Sequence, residues 1–264
     1  MKNDTLMKVT LVVGCARSGT SILGELIASH PEVIYVFEAV TVWERGGMGE
    51  NESHRLTAAH ATPDITRQIR GWAETTGREA LMLVEKSPRN ILRVPYVLEI
   101  FPDAKIIHIV RDGRDVACSM VPGCGRDEWS HLRPPSWKTF FDRYSGPTRC
   151  AIAWKEIMEI GLEDLANVSH LQIRYEDMIA SPESVAQEIF DYMGLDMRST
   201  VGDFCRRISN DTASPYHASY QDHWYRNDHE VRIGRWRKNL SASEKREINT
   251  LLAPLLDHFG YPVE

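Results

Sequence analysis

The chain has 264 residues, 42% of them hydrophobic and 26% charged, with a formal net charge of −6. A chain of this length buries a full core and fits a single domain over residues 1–264; its acidic balance argues against a general nucleic-acid binder, and no apolar run approaches the roughly 20 residues of a membrane span. The five cysteines are an odd, sparse set, so the expectation is reduced thiols in a cytoplasmic protein.

The first apolar run, Val9-Thr10-Leu11-Val12-Val13, reads as a buried strand. Gly14 and Arg17 interrupt it too soon for a signal peptide. The loop Gly14-Cys15-Ala16-Arg17-Ser18-Gly19-Thr20-Ser21 follows, and Ile22 to Ser29 then has helical spacing. Strand, glycine-containing loop and helix aim backbone N–H groups and a positive dipole end at one spot, which suits a phosphate or sulfate. The spacing nearly matches the nucleotide-binding G-x-x-x-x-G-K-[ST] loop, but Thr20 replaces the Lys and the cation is Arg17 inside the loop. An ordinary strand-to-helix turn is the alternative.

The helix should end near His30-Pro31. Val33 to Phe37 is a second strand, ending at Glu38, and residues 43–63 form a polar, irregular excursion. Ile65 to Thr76 is helical, Leu81 to Val84 is a third strand running into Glu85-Lys86-Ser87-Pro88, and Ile91 to Phe101 is a helix in which Pro95 marks a kink or a late start. Lys105 to Val110 is a fourth strand, followed by Arg111-Asp112-Gly113 and a helix through Met120. Residues 121–136 are irregular, of a kind that often serves as a lid or substrate-binding element. Trp137 to Leu165 is one long helix or two, broken near Ser145-Gly146-Pro147. A weaker fifth strand, Leu171 to Tyr175, runs into Glu176-Asp177. Helices are expected from Pro182 to Met193, from Thr200 to Ile208 and from Ser241 to Phe259, with an irregular stretch over 209–235.

Alternating strands and helices predict an α/β fold, a mainly parallel five-stranded sheet with helices on both faces. Ligands bind beyond the carboxyl ends of such strands. Five strand ends then share one edge: the Gly14–Ser21 loop, Glu38, Glu85-Lys86, Arg111, and Tyr175-Glu176-Asp177. Three cations held together on an acidic protein, Arg17, Lys86 and Arg111, call for a polyanionic ligand. In a right-handed β-α-β unit the strand ending at Glu38 is parallel to the first and beside it, which brings Glu38 to the loop's anion. There it is a candidate general base, or a salt-bridge partner of Arg17. The histidines and cysteines lack metal-site spacing, so no metal is expected. Cys15 and Cys118 read as buried small residues and His108 as a satisfied core residue. Trp43, His54, Trp129, His131, Trp137, Tyr216, His217 and Trp224 are candidates for an acceptor pocket, with about half expected in the core.

Together these residues resemble the sulfotransferases that use 3′-phosphoadenosine-5′-phosphosulfate (PAPS). Arg17-Ser18-Gly19-Thr20-Ser21 is similar to the family's 5′-phosphosulfate loop, and Val110 to Ser119 to its 3′-phosphate motif, in which Arg111 and Ser119 would hold the phosphate. Arg174-Tyr175-Glu176-Asp177-Met178 resembles the segment whose Tyr contacts adenine. Ile233 to Lys238 resembles the late motif in which Arg235, Trp236, Arg237 and Lys238 would hold the nucleotide. The catalytic His of the cytosolic phenol and steroid enzymes is absent, since Pro88 stands at its position. Arg17 and Glu38 instead match the tyrosylprotein sulfotransferase arrangement, with Lys86 as its strand-end Lys. That resemblance implies sulfuryl transfer from PAPS to a hydroxyl acceptor (a small molecule, a glycan or a tyrosine-like phenol), PAP as product, Glu38 as base, Arg17 and Lys86 as charge-stabilising groups, and no metal. A Mg²⁺-dependent P-loop kinase or NTPase and a non-catalytic PAP-binding module are the alternatives.

Overall fold

A computed structural model describes residues 8–77, 81–210 and 232–264. Five parallel strands form one sheet: β1 (Lys8–Val13), β2 (Val33–Phe37), β3 (Met82–Lys86), β4 (Lys105–Val110) and β5 (His170–Arg174), in the order β2-β3-β1-β4-β5. β1 is apolar along both faces because both are covered. Val9, Leu11 and Val13 enter one core and Val12 the other, the period-2 signature of a strand buried on each side.

The described α-helices are α1 (Thr20–Ala28), α2 (Val40–Trp43), α3 (Pro63–Thr76), α4 (Val94–Ile100), α5 (Gly113–Met120), α6 (Trp137–Arg143), α7 (Gly146–Leu165), α8 (Tyr175–Ala180), α9 (Pro182–Met193), α10 (Ser199–Ser209), α11 (Trp236–Asn239) and α12 (Ala242–His258). Side chains from α1, α8, α9 and α10 pack on one face of the sheet, and those from α4, α5, α7 and α12 on the other. None of the described helices is long and apolar enough to cross a membrane.

The expected strands and helices form within a few residues of their expected bounds. Trp137 to Leu165 is two helices, divided where Gly146 takes a positive φ of 53° and Pro147 restarts the helix. Two expectations are corrected. β2 is parallel to β1 but not beside it, because β3 lies between them and pairs with both. Tyr175 is not a strand residue; it opens helix α8 and is 1% exposed. Of the two outcomes expected of Pro95 the structure has the late start: a 3₁₀ turn over Pro88–Leu92 precedes α4, because Pro95 has no N–H for a continuous ladder and fits only a first turn.

The order has a functional consequence. β1 is central, so the loop after it emerges between the carboxyl ends of β3 and β4. The register aligns Val12 with Lys86 and Val13 with His108, which brings Lys86 and Arg111 to either side of the loop.

Candidate active site

A cavity of about 330 Å³ opens at this edge, within the size range of small-ligand sites. Its wall includes Ala16, Arg17, Gly19, Thr20, Ser21, Phe37, Glu38, Arg111, Ser119, His131 and Tyr175. One floor is the start of α1, whose first-turn N–H groups have no intrahelical acceptor and whose dipole favours an anion. Gly19 caps this helix in the left-handed region, φ 96°. A Cβ there would meet the Tyr175 ring at 2.4 Å. Glycine is therefore required twice, for conformation and for space.

Two non-glycine residues of the site also have left-handed backbones: Arg17 at φ 72° and Glu38 at φ 45°. Such conformations cost free energy and persist only where the surroundings hold them. Two contacts between described residues help to hold Arg17. Its Nε donates to Ser119 Oγ at 3.1 Å, and its carbonyl accepts from Arg111 Nη1 at 3.2 Å. Arg111 Nη2 donates to the Arg232 carbonyl at 2.8 Å, and its guanidinium lies 4.5 Å from the centre of the Tyr175 ring. Arg111 is 3% exposed, and its Nε is buried with no hydrogen-bond partner among the described residues.

On the other side, Lys86 is 0% exposed and donates from Nζ to Glu38 Oε1 at 2.7 Å and to Ser21 Oγ at 3.4 Å. The ammonium also sits 3.5 Å from the centre of the Phe37 ring. Burial lowers the Lys86 pKa, while the Glu38, Glu85 and Glu25 carboxylates oppose that shift. The carboxylate partner of the site is thus Glu38 with Lys86, and the alternative of a Glu38–Arg17 salt bridge is replaced by this pair.

The late segment is tied to this edge by Asp115, whose carboxylate accepts from the Gly234 N–H at 2.7 Å and the Trp236 N–H at 3.0 Å. Burial raises the Asp115 carboxyl to about 6, against those bonds and Arg111. Trp236 is buried, with the Arg114 guanidinium 4.0 Å from its ring centre, and Arg237 pairs with Glu264. Arg235, Trp236, Arg237 and Lys238 do not line the cavity, and neither do Cys15 and Ser18, loop residues that are fully buried. Burial raises the thiols of Cys15 and Cys118, the latter to about 11. His108 is a core residue, lowered to about 3 by burial, but its ring nitrogens have no partner among the described residues.

Among the aromatic candidates, His131 lines the cavity. Its Nε2 donates to the Met120 carbonyl at 2.6 Å, which leaves Nδ1 as an acceptor in the neutral ring, and burial lowers its pKa. Trp43 is a core residue, 1% exposed and edge-on to Tyr96 and Phe101. His54 joins the 43–63 excursion to the 121–136 segment, accepting from Arg133 N–H at 3.0 Å. Trp129 is buried against Phe140, and Trp137 donates to the Asn51 carbonyl. Tyr216, His217 and Trp224 lie outside the described residues. Glu85, which the sequence places with Lys86 at the end of β3, is 1% exposed, and burial raises its carboxyl to about 7. Its signal is an acid in the same pleat register as the apolar Leu83.

A family model described as "Sulfotransferase family" matches residues 10–199. A protein-tyrosine sulfotransferase of Drosophila melanogaster is 24% identical over 215 residues, covering 74% of this chain and 40% of the relative. An omega-hydroxy-beta-dihydromenaquinone-9 sulfotransferase of Mycobacterium bovis is 24% identical over 196 residues, covering 70% of this chain and 42% of the relative. The chain thus spans about half the length of the curated relatives it matches. In three dimensions, a sulfotransferase domain from the curacin biosynthetic pathway aligns with a TM-score of 0.63 at 15% identity, over 98% of this chain and 99% of that one. A mouse sulfotransferase complexed with PAP aligns with a TM-score of 0.53 at 16% identity, over 95% and 85% of the two chains.

Proposed function

The chain belongs to the sulfotransferase family, and we propose that it moves the sulfuryl group of PAPS to a hydroxyl acceptor, with Glu38 as general base. The observation that carries this reading is the contact of the buried Lys86 ammonium with both Glu38 Oε1 and Ser21 Oγ. It joins a carboxylate at the acceptor side to the anion-binding start of α1 within one cavity.

The residues present suit an adenosine bisphosphate donor. First-turn N–H groups of α1 and the Arg17 guanidinium suit the 5′ phosphosulfate. Arg111 and Ser119 suit the 3′-phosphate, since Arg111 Nε is a buried charged donor with no partner among the described residues. Tyr175, already stacked on Arg111, offers a ring for adenine. Trp236 supports the site through Asp115 rather than by lining the cavity. When bound, PAPS supplies the sulfuryl group and the leaving phosphate.

Glu38 accepts the proton of the acceptor hydroxyl. Its carboxylate is 35% exposed, so an acceptor entering from solvent reaches it. Lys86 and Arg17 stabilise negative charge that develops across the sulfuryl oxygens and the leaving group, as in phosphoryl transfer, where catalysis is mostly positioning and electrostatics. Arg17 exchanges its Ser119 partner for an anionic oxygen. Phe37, Pro88, His131 and Leu132 form the acceptor wall. They suit a hydroxyl carried on an apolar or aromatic frame, with His131 Nδ1 as a polar fixing point.

The test is thermal stabilisation by PAP, PAPS and Mg·ATP, followed by PAP formation from labelled PAPS in the presence of a panel of phenol, alcohol and sugar acceptors, by the wild type and by E38Q. Stabilisation by PAP without metal and loss of PAP formation in E38Q are expected. A shift with Mg·ATP alone would replace this reading by a kinase or NTPase. PAP binding with no turnover in the wild type would replace it by a binding module.

A further inference from the structure

Glu38 stands in a left-handed conformation, φ 45°, that a β-carbon-bearing residue adopts only under constraint. Three backbone groups define the turn. The Glu38 N–H donates to the Lys86 carbonyl at 2.8 Å, and the Glu38 carbonyl accepts from the Val40 N–H at 2.6 Å. The second bond encloses Ala39, whose φ of −67° and ψ of 58° are those of an inverse γ-turn. This geometry leaves the Ala39 N–H outside the turn. It donates to Glu85 Oε1 at 3.1 Å.

Glu85 is held in turn. Its Oε2 accepts from Asn90 Nδ2 at 3.1 Å, and the residue is 1% exposed on a strand paired on both sides. Neighbouring residues of a strand point to opposite faces. Glu85 therefore lies on the face of Leu83, and Lys86 on the face of Met82 and Val84. Two consecutive side chains of β3 thus grip Glu38 from both sides, Lys86 at its carboxylate and Glu85 at the amide that follows it.

We propose that Glu85 is a positioning residue: its hydrogen bond to the Ala39 N–H holds the turn that aims the Glu38 carboxylate into the cavity. This rests on Glu38 acting as the base, as proposed above. A carboxyl group serves here because Ala39 and Asn90 each donate to one of its oxygens, and a rigid strand positions more closely than a loop. E85Q preserves the bond, since the amide carbonyl accepts from Ala39. The new NH₂ then faces Asn90, whose Oδ1 has no partner among the described residues and accepts once that amide turns over.

The test compares the full chain with E85A, E85Q and E38Q by amide hydrogen exchange at Ala39, by PAP binding and by PAP formation from PAPS with a phenol or alcohol acceptor that the wild type sulfates. E85A should expose the Ala39 amide to faster exchange and lower kcat about 10²-fold, the scale of an ångström misplacement. Its affinity for PAP should stay at the wild-type value, because the nucleotide side is built on other elements. E85Q should return both exchange and kcat close to wild type. Unchanged Ala39 exchange in E85A overturns the proposal, and so does full turnover in E85A when E38Q is inactive. An E85Q protein as slow as E85A would also overturn it, since the bond alone would then not suffice. Should E85A fail to fold, N90A loosens Glu85 without removing it, and wild-type Ala39 exchange in N90A overturns the proposal. An E38Q enzyme that still turns over would sink the base assignment instead, leaving Ala39 exchange to decide the role of Glu85.

Discussion

Replacing Lys86 by Met separates the proposed catalytic role of this buried cation from its structural one. The side chain is 0% exposed, so its ammonium carries a large desolvation cost, which three carboxylates offset. Met keeps the apolar stem and most of the volume. It removes the 2.7 Å bond to Glu38 and the 3.4 Å bond to Ser21. Removing one partner of a fully buried pair costs roughly 3–5 kcal/mol, because the other charge is stranded. Glu38 is not stranded in that way. Its side chain is 35% exposed and water can solvate the carboxylate. The lysine's own desolvation cost also disappears, so K86M should lose no more than about 2 kcal/mol of stability. Turnover is different. Water cannot replace a preorganised charge at the sulfuryl oxygens, and losing one such donor costs ~10²–10³ in rate. PAP formation from labelled PAPS, with chemical denaturation of the same preparation, reads both quantities. K86M turning over at close to the wild-type rate would refute the reasoning. A loss of activity matched by a comparable loss of folded protein would show that Lys86 serves the fold.

Three further outcomes are expected. R111A should abolish most of the PAP-dependent rise in melting temperature, since charged hydrogen bonds of this kind are worth roughly 1.5–3 kcal/mol each; equal shifts in R111A and wild type would remove Arg111 from the nucleotide site. G19A should be destabilised by about 1–3 kcal/mol, because it combines a left-handed backbone with a Cβ 2.4 Å from the Tyr175 ring, and its near-ultraviolet tyrosine signal should change; a wild-type denaturation midpoint would show that the ring moves freely. The Glu85 carboxyl lies at about 7 in the folded chain, raised by burial above its ordinary 4.5. The unfolded chain therefore loses its proton first as pH rises, and stability contributed by the protonated group is full below pH 4.5 and lost by about pH 7. E85Q has no such proton, so relative to wild type its stability should climb through this window, by at most about 3 kcal/mol. A pH-independent difference between the two proteins would show that Glu85 titrates normally.

Much of the edge chemistry was legible because it is local. A strand's last residue, a glycine loop and a helix start lie within a dozen residues of one another, and parallel strands put their carboxyl ends on one side. Arg17, Glu38, Lys86 and Arg111 could be grouped on that basis, and the cavity does contain or adjoin all four. The aromatic candidates were less legible. An irregular segment gives no period from which to tell a wall from a core, and Trp43 went to the core while His131 went to the cavity. Glu85 stood in plain view beside Lys86, but its role depends on an amide 46 residues away.

By itself, the sequence determined the succession of strands and helices, the glycine-containing loop after β1 and the residues offered at each strand end. These follow from short-range periodicity, caps and φ preferences, which need no distant partner. The tertiary structure decided the lateral order that puts β3 between β1 and β2, and with it the choice of Lys86 over Arg17 as the partner of Glu38. It also decided the left-handed turns at Arg17 and Glu38, which no local preference favours. Their hold comes from Ser119, Arg111, Glu85 and Lys86, residues remote in sequence that only the folded sheet brings within hydrogen-bonding distance.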